Sequence, residues 1–204
     1  MKPEEHGENY GLFLLGCLIS HKTKNGIVRG IISEVEAYLG PEDKASHGYN
    51  NRYTKRTEAM YKKQGTIYIY RIYGKYYCLN IVADPIAYPS ALLIRSVTIL
   101  PEYLDNAALN RYQKNFSALT SYQKKNLANG PGKVTIALGI PQEYNLMEIN
   151  IDTFMIKKEY SVPESKINKL PRINIPYAQD YVSKPWRFKI DPDYLSKLIV
   201  DNHK

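Results

Sequence analysis

The sequence predicts an α+β fold whose sheet is largely antiparallel. Strand-like segments cluster along the chain, helical segments are grouped, and there is no steady strand–helix alternation of the kind that indicates βαβ units. The chain has 204 residues, 44% of them hydrophobic, which suits one domain with a real core. Because no repeat, low-complexity block or linker interrupts it, we expect a single domain over residues 1–204.

Hydrophobic periodicity and turn residues predict the elements in order. Helical segments are expected at 9–20, 56–64, 104–113, 117–129 and 133–140. Strands are expected at 27–40, in the two arms of 67–80, and at 91–100, 147–156, 172–177 and 184–190. Residues 41–56 are predicted to be a loop, the GPG at 130–132 to interrupt the helical region, and residues 191–204 to form a charged tail.

The composition favours a polyanionic partner. The net charge is +8, with 28 Lys+Arg against 20 Asp+Glu, and basic proteins of this kind often bind nucleic acid. There are 19 tyrosines but only 4 phenylalanines, and tyrosine suits surfaces that meet bases or other proteins. A nucleotide bias toward Tyr, Lys, Asn and Ile is the alternative explanation of that count.

The cysteines and the one long apolar run point to an intracellular protein. Cys17 and Cys78 are too few for a disulfide framework, and both are expected to be reduced core residues. The run GLFLLGCLI at 11–19 is too short for a transmembrane helix and follows glutamates rather than a basic segment. We therefore expect a cytoplasmic protein, associated with the nucleoid and not with a membrane.

The hairpin at residues 67–80 carries an aromatic side chain at its turn. The sequence IYIYRIYGKYYCLN places Tyr73 where the chain reverses, between Arg71 and Lys75. Alternation puts Tyr68, Tyr70 and Ile72 on one face, and Ile67, Ile69, Arg71 and Tyr73 on the other. An aromatic wedge on a β-ribbon can enter the DNA minor groove and unstack a base step, after which an enzyme houses the extruded base between aromatic walls.

Two glutamates are the strongest candidates for chemistry. Glu34 and Glu36 in SEVEAY share one face of a predicted strand among apolar neighbours. A carboxylate held in such a pocket suits a general base, whereas an exposed sheet face is the ordinary alternative. The candidates for the walls of a base pocket nearby are Tyr38, His47 and Tyr70, each of which could equally be an ordinary core or surface residue.

The remaining motifs give weaker indications of function. The four histidines and two cysteines have no metal-ligand spacing, so no zinc site is expected. GPGKVT at 130–135 is similar to a nucleotide phosphate loop, but Leu127 and Val134 stand where that motif needs Gly and Ser or Thr. GPGK could still present backbone N–H groups and Lys133 to one phosphate, or it could be a plain turn; both interpretations stay open.

Several motifs together resemble the alkyladenine (3-methyladenine) DNA glycosylases, as a bacterial-type member. The resemblance runs in order from about residue 11 to 190. It rests on SEVEAYLGPEDKASH, NRYTKRTEAMY, GTIYIYRIYGKYYCLN, ALLIRS, NGPGK and PRI…PWRF. It implies a compact mixed domain with a curved, mostly antiparallel sheet flanked by helices and a protruding hairpin that intercalates into DNA.

The resemblance also implies roles for individual residues. Glu36 corresponds to the general base that activates water, and Arg95 to an arginine that helps to hold that water. Tyr38, His47 and Tyr70 correspond to residues stacking around the flipped base. In the same way Asn80 corresponds to a pocket residue that discriminates against the exocyclic amine of guanine, and Tyr73 to the intercalating tyrosine.

The implied activity is that of a monofunctional DNA glycosylase of base excision repair. Its substrates would be 3-methyladenine, 7-methylguanine and hypoxanthine in double-stranded DNA, and it would work as a monomer without metal or cofactor. Arg52, Arg56, Lys75 and Lys133 are the candidates for holding DNA phosphates, and Lys55, Lys62, Lys63, Arg71, Lys184 and Arg187 are further ones. For any single cation, a solvated surface charge is the competing interpretation.

Two departures from the resembled pattern and three alternative functions stay open. Gly48 follows His47 where the family usually has Ser or Ala, which predicts a looser loop, and residues 83–90 carry two prolines. The alternatives are a non-catalytic nucleic-acid-binding domain, an RNA-binding or RNA-modifying protein, and a bifunctional lyase that would use Lys133. Neither binding alternative requires a carboxylate such as Glu36.

Overall fold

The computed structural model describes residues 6–202, and these form an eight-stranded antiparallel sheet with five α-helices. The strands are β1 (Cys17–Thr23), β2 (Gly26–Leu39), β3 (Ile67–Ile72), β4 (Tyr76–Ile81), β5 (Ser90–Ile99), β6 (Phe154–Lys158), β7 (Ile167–Leu170) and β8 (Arg187–Ile190). The helices are α1 (Gly7–Leu14), α2 (Leu104–Tyr112), α3 (Ser121–Lys125), α4 (Pro131–Leu138) and α5 (Pro192–Asn202). The predicted α+β class with an antiparallel sheet is confirmed.

Strand β2 is the centre of the sheet. The main path runs β3-β4-β5-β2-β1-β6, and β8 pairs with the second half of β2 while also pairing with β7. Along its 14 residues β2 therefore touches three other strands, and apolar side chains such as Val28, Ile32 and Val35 enter the main core. A side chain carried by β2 is consequently anchored on a strand that pairs with three others.

A register irregularity divides β2 and its partner β5 into two halves. Ile32 pairs with Val97, Glu34 with Ser96 and Val35 with Ile94. Ser33 on β2 and Arg95 on β5 are therefore left without a pairing partner on the other strand. Such bulges shift which side chains face which side of a sheet. Val28 and Ile32 fill the core before the shift, whereas Val35 and Ala37 fill it afterwards.

The first helix is shorter than predicted. Residues 9–20 were expected to be helical, but α1 ends at Leu14 and Cys17–Thr23 is strand β1. Gly16 has φ +79°, a left-handed conformation that ends the helix, and a Cβ there would collide with the Tyr160 carbonyl oxygen. The following residues then pair with both β2 and β6, a tertiary gain that the local apolar run does not reveal.

The prediction of a charged tail at 191–204 is wrong over the described residues. Residues 192–202 form α5, which begins with Pro192 in the first turn while the Asp191 carboxylate accepts a hydrogen bond from the Tyr194 N–H at 2.9 Å. Tyr194 and Leu195 pack against the main core. Residues 203 and 204 lie outside the described part.

Four other segments differ from expectation. Residues 172–177, predicted as a strand, have no regular secondary structure, and of 147–156 only the end belongs to a strand, β6. Within 117–129, only α3 and a short 3-10 turn are helical. Helix α4 begins at Pro131, inside the GPG that was expected to interrupt the helical region. Proline is favoured at a first helical position because its missing N–H is not needed there.

No helix within residues 6–202 is both long enough and apolar enough to cross a membrane. Cys17 and Cys78 are buried and are not joined in a disulfide, as predicted.

Candidate active site

The register shift in β2 turns both glutamates to the face opposite the main core. Val35 and Ala37 point into that core, so Glu34, Glu36 and Tyr38 share the other face. The predicted common face is thereby confirmed. The alternative of two exposed glutamates is wrong, since Glu36 is 0% and Glu34 5% exposed.

Three hydrogen bonds fix the carboxylate of Glu36. Its Oε2 accepts from the Tyr38 hydroxyl at 2.9 Å and from Arg95 Nη1 at 3.2 Å, and its Oε1 accepts from the Ile173 backbone N–H at 2.8 Å. A carboxylate offers about four lone-pair sites. Three are occupied, so one acceptor site is left for a water molecule or a developing cation.

The donors to Glu36 all line one cavity of about 220 Å³. For scale, an engineered apolar cavity of about 150 Å³ is known to accept benzene. The walls include every predicted base-pocket residue, Tyr38, His47, Tyr70 and Asn80, together with Arg95. The structure therefore brings these side chains together, and Glu36 lies directly behind them.

His47 forms one wall together with two tyrosines. Its Nδ1 lies 2.9 Å from the Tyr68 hydroxyl, and its ring contacts Tyr70 edge-on with centroids 4.7 Å apart. Arg56 Nη2 lies 3.4 Å from His47 Nε2. Because a guanidinium only donates, Nε2 must accept and Nδ1 must carry the proton.

The lowered pKa of His47 predicts how the stability of the protein depends on pH. Burial, and next the positive charges of Arg56 and Arg52, lower its pKa from 6.5 to about 4. As the pH falls from 6.5 to 4, His47 binds a proton in the unfolded chain but stays neutral in the folded protein. The free energy of unfolding therefore decreases across this pH range. Urea unfolding at several pH values should show a steeper loss of unfolding free energy for the wild type than for His47→Gln. Parallel slopes for the two proteins would mean that His47 protonates normally in the folded state.

Asn80 lies on the cavity floor with its amide orientation fixed. Its Nδ2 donates to the carbonyl oxygens of Tyr68 at 3.0 Å and Cys78 at 3.2 Å. These two bonds use both N–H groups, so the amide presents only its oxygen to a ligand.

Tyr73 stands at the hairpin tip and is 80% exposed. Tyr73 and Gly74 have φ values of 48° and 70°, the pattern of a type I′ hairpin turn. A tyrosine with positive φ is an outlier that tends to persist where function needs it. Contrary to the simple alternation, Tyr73 lines the same cavity as Tyr68, Tyr70 and Ile72, because the turn redirects it.

The four predicted phosphate-binding cations have different surroundings. Arg56 lies in the cavity wall with its guanidinium 5.2 Å from the Tyr70 ring centre, while Arg52 is exposed beside it on an adjoining basic cleft. Lys75 is exposed on the hairpin, over the Tyr76 ring. Lys133 donates to Asn126 Oδ1 at 2.6 Å, and burial lowers its pKa.

Sequence reasoning missed the support behind Tyr38. Arg172 and Asp43, both fully buried, form a bidentate ion pair with bonds of 2.5 and 2.8 Å, and Arg172 also donates to the Ala37 carbonyl oxygen. The guanidinium lies 4.7 Å from the Tyr38 ring centre and 5.0 Å from that of Trp186. This pair holds the neighbouring Ile173 N–H against Glu36.

Tyr68 and Tyr177 were also missed as cavity residues. Tyr68 shares its strand face with Tyr70, so the alternation alone could have indicated it. Tyr177 lies in the irregular segment after Arg172, which its sequence pattern wrongly predicted to be a strand. Burial raises the pKa of Tyr68 to about 12, so its hydroxyl stays protonated and available to His47.

Gly48 and the proline-containing segment 83–90, which both depart from the resembled pattern, contact each other. Gly48 is buried at φ −86°, and a Cβ built on it would lie 2.6 Å from Pro89 Cβ. The glycine thus has a packing role: it lets the proline segment approach the His47 loop.

Gly48→Ala should destabilise the protein by about 1–3 kcal/mol through overpacking. The free energy of unfolding in urea measures this. In a Pro89→Gly background the same substitution should cost less, since the clashing Cβ is gone. Equal costs in both backgrounds would remove the contact as the cause.

Comparison with known proteins defines the class. A family model described as methylpurine-DNA glycosylase matches residues 5–193. A protein of Clostridium novyi (strain NT) is 43% identical over 188 residues, 90% of each chain, and one of Bacillus cereus (strain AH187) is 44% identical over 180 residues, 86% of each. Both carry the name "Putative 3-methyladenine DNA glycosylase".

These matches make the protein a DNA glycosylase, an enzyme of DNA repair that hydrolyses N-glycosyl bonds. The chain belongs to the methylpurine-DNA glycosylase family. The family predicted from the sequence motifs is thereby confirmed, and its substrate is DNA.

Proposed function

We propose that this enzyme is a monofunctional glycosylase that flips 3-methyladenine, 7-methylguanine and hypoxanthine out of duplex DNA and cleaves each base from its sugar with water activated by Glu36. The observation that carries the proposal is the buried Glu36 carboxylate, which has one free acceptor site behind an aromatic cavity. The product is an abasic site.

Glu36 serves two needs of the reaction. Breaking the N-glycosidic bond builds positive charge on the sugar, and a fixed carboxylate stabilises that charge while it takes a proton from the attacking water. Arg95 holds Glu36 and helps to place the water. An alkylated purine already carries positive charge and leaves readily, whereas hypoxanthine needs protonation or hydrogen bonds to its ring.

The cavity walls hold the flipped base by stacking. Tyr38 and Tyr70 already have the guanidiniums of Arg172 and Arg56 at 4.7 and 5.2 Å from their ring centres. A cationic base must share those rings, so cation–π attraction selects for alkylated purines less than a count of tyrosines suggests. Selection therefore depends more on how easily a damaged base leaves the duplex.

Tyr73 fills the gap left by the flipped base, and Asn80 disfavours unmodified guanine by steric crowding of its exocyclic amine rather than through the hydrogen-bonding capacity of its amide oxygen. Arg52, Arg56, Lys75 and Lys133 contribute to holding the phosphates. We place the enzyme on DNA at the nucleoid in the cytoplasm, acting as a monomer. Among the described residues no lysine lines the cavity, which supports hydrolysis by water over a lyase reaction through Lys133.

Product analysis tests the proposal. The enzyme is incubated with methylated duplex DNA and, separately, with a duplex carrying one hypoxanthine, and free bases are identified by mass spectrometry. We expect free 3-methyladenine and 7-methylguanine, strands with intact abasic sites, and no protein–DNA adduct after borohydride reduction. Tight binding without base release would instead support a non-catalytic binding module, and a trapped adduct would indicate a lyase.

A further inference from the structure

Glu34 is a buried carboxylate that the reaction as described above does not use. Its Oε1 accepts from Arg95 Nε at 3.2 Å and from Arg187 Nη1 at 3.2 Å, and Lys189 Nζ lies 3.7 Å from its Oε2. Two carboxylates and three cations thus meet on one face of the sheet, with Glu34 contributed by β2, Arg95 by β5 and the other two cations by β8.

Arg95 connects the two glutamates. The same guanidinium that donates through Nε to Glu34 donates through Nη1 to Glu36 Oε2 at 3.2 Å. A guanidinium is a planar, rigid fork, so fixing the Nε bond also fixes the direction of the Nη1 bond. Arg95 is moreover the unpaired residue at the β5 register shift, where backbone pairing with β2 does not define its position.

We propose that Glu34 is a positioning residue for catalysis: it holds Arg95 by Nε so that Arg95 gives Glu36 only one hydrogen bond. This inference rests on the proposed role of Glu36. Without the Glu34 charge, the guanidinium is free to turn its full fork to Glu36. It would then occupy the acceptor site left for water and neutralise the carboxylate that must take the proton.

Loss of Glu34 should slow excision without weakening the binding of DNA. Glu34 lies on the far side of Arg95 from Glu36 and is not among the cavity walls, so its loss should not weaken base stacking or DNA contacts. The neighbouring Lys189 offers a matched control, because it contacts Glu34 but has no bond to Arg95 or Glu36 within the described chain. Lys189→Met removes a charge from the same cluster and should leave the excision rate nearly unchanged.

A double-mutant cycle tests the route through Arg95. Single-turnover excision from methylated duplex is measured for wild type, Glu34→Gln, Arg95→Met and the double variant, together with the dissociation constant for the damaged duplex. Glu34→Gln should slow excision about tenfold with little change in affinity, and should add less than about twofold to the loss in Arg95→Met. A wild-type rate in Glu34→Gln, or a further tenfold loss in the Arg95→Met background, would overturn the proposal.

Two measurements keep the outcome unambiguous. Glu34→Gln leaves three cations facing one fewer anion, which can destabilise the fold. Glu34→Gln/Lys189→Met removes one charge of each sign and repeats the cycle if the single variant does not fold. Glu36→Gln is assayed in parallel: if it excises as fast as wild type, the proposed function fails, whatever the Glu34 result.

Discussion

Glu36→Gln should reduce single-turnover excision of alkylated purines by about 10³-fold, within the range that general base catalysis supplies. The amide is nearly isosteric but cannot take a proton from water, and it cannot stabilise positive charge on the sugar. Affinity for the damaged duplex should persist, because the cavity walls and the hairpin are untouched. Base release is measured with enzyme in excess, and binding by fluorescence anisotropy.

The matched control is Glu164→Gln, which removes an exposed carboxylate whose surface ion pair with Lys169 contributes little to stability. It should excise at the wild-type rate. Strong remaining activity in Glu36→Gln would contradict the assigned mechanism, and loss of both binding and thermal stability would show a structural role instead.

Tyr73→Ala should weaken binding to damaged duplex by about 10- to 100-fold, since one base–aromatic stacking contact contributes about 1–3 kcal/mol. Excision should fall as well, because an unfilled gap lets the flipped base return to the stack. The melting temperature should change little, as the ring is 80% exposed and packs against few neighbours.

Tyr73→Phe is the control at the same position. It keeps the stacking ring and the strained turn while removing only the hydroxyl, so affinity and excision should stay near wild type. If Tyr73→Ala bound and excised normally, the hairpin tip would not be the wedge. If Tyr73→Phe were as weak as Tyr73→Ala, the hydroxyl rather than the ring would be the important group.

Local patterns predicted the elements that make the site. Alternation identified the two arms of the hairpin, richness in Ile and Val identified β2, and a continuous apolar run identified β5. The two-residue spacing of Glu34 and Glu36 correctly placed them on one face. The local patterns of these segments agree with their tertiary environment, which is the condition under which sequence patterns work best.

The interactions that make Glu36 chemically distinctive could not be predicted in this way. The Ile173 N–H lies 137 residues further along the chain, in a segment without regular structure that alternation misread as a strand. The buried Arg172–Asp43 pair is equally long-range, and in the sequence each member is an ordinary charged residue. Only the folded chain shows that together they hold the donor against the carboxylate.

The misassigned termini have a similar cause. Residues 17–20 continue an apolar run that fits a helix as well as a strand, and pairing with two neighbouring strands decides the outcome. At the other end, the charges of the last residues concealed an Asp-Pro helix start and an apolar stripe that packs on the core.

The role of Glu36 and the aromatic cavity can be seen in a structure of Glu36→Gln bound to a duplex carrying one 7-methylguanine. We expect the methylated base outside the helix, between Tyr38, His47 and Tyr70, with Tyr73 in the gap and a water beside residue 36. A base still stacked in the duplex over an empty cavity, or a flipped base held at another surface, would contradict it.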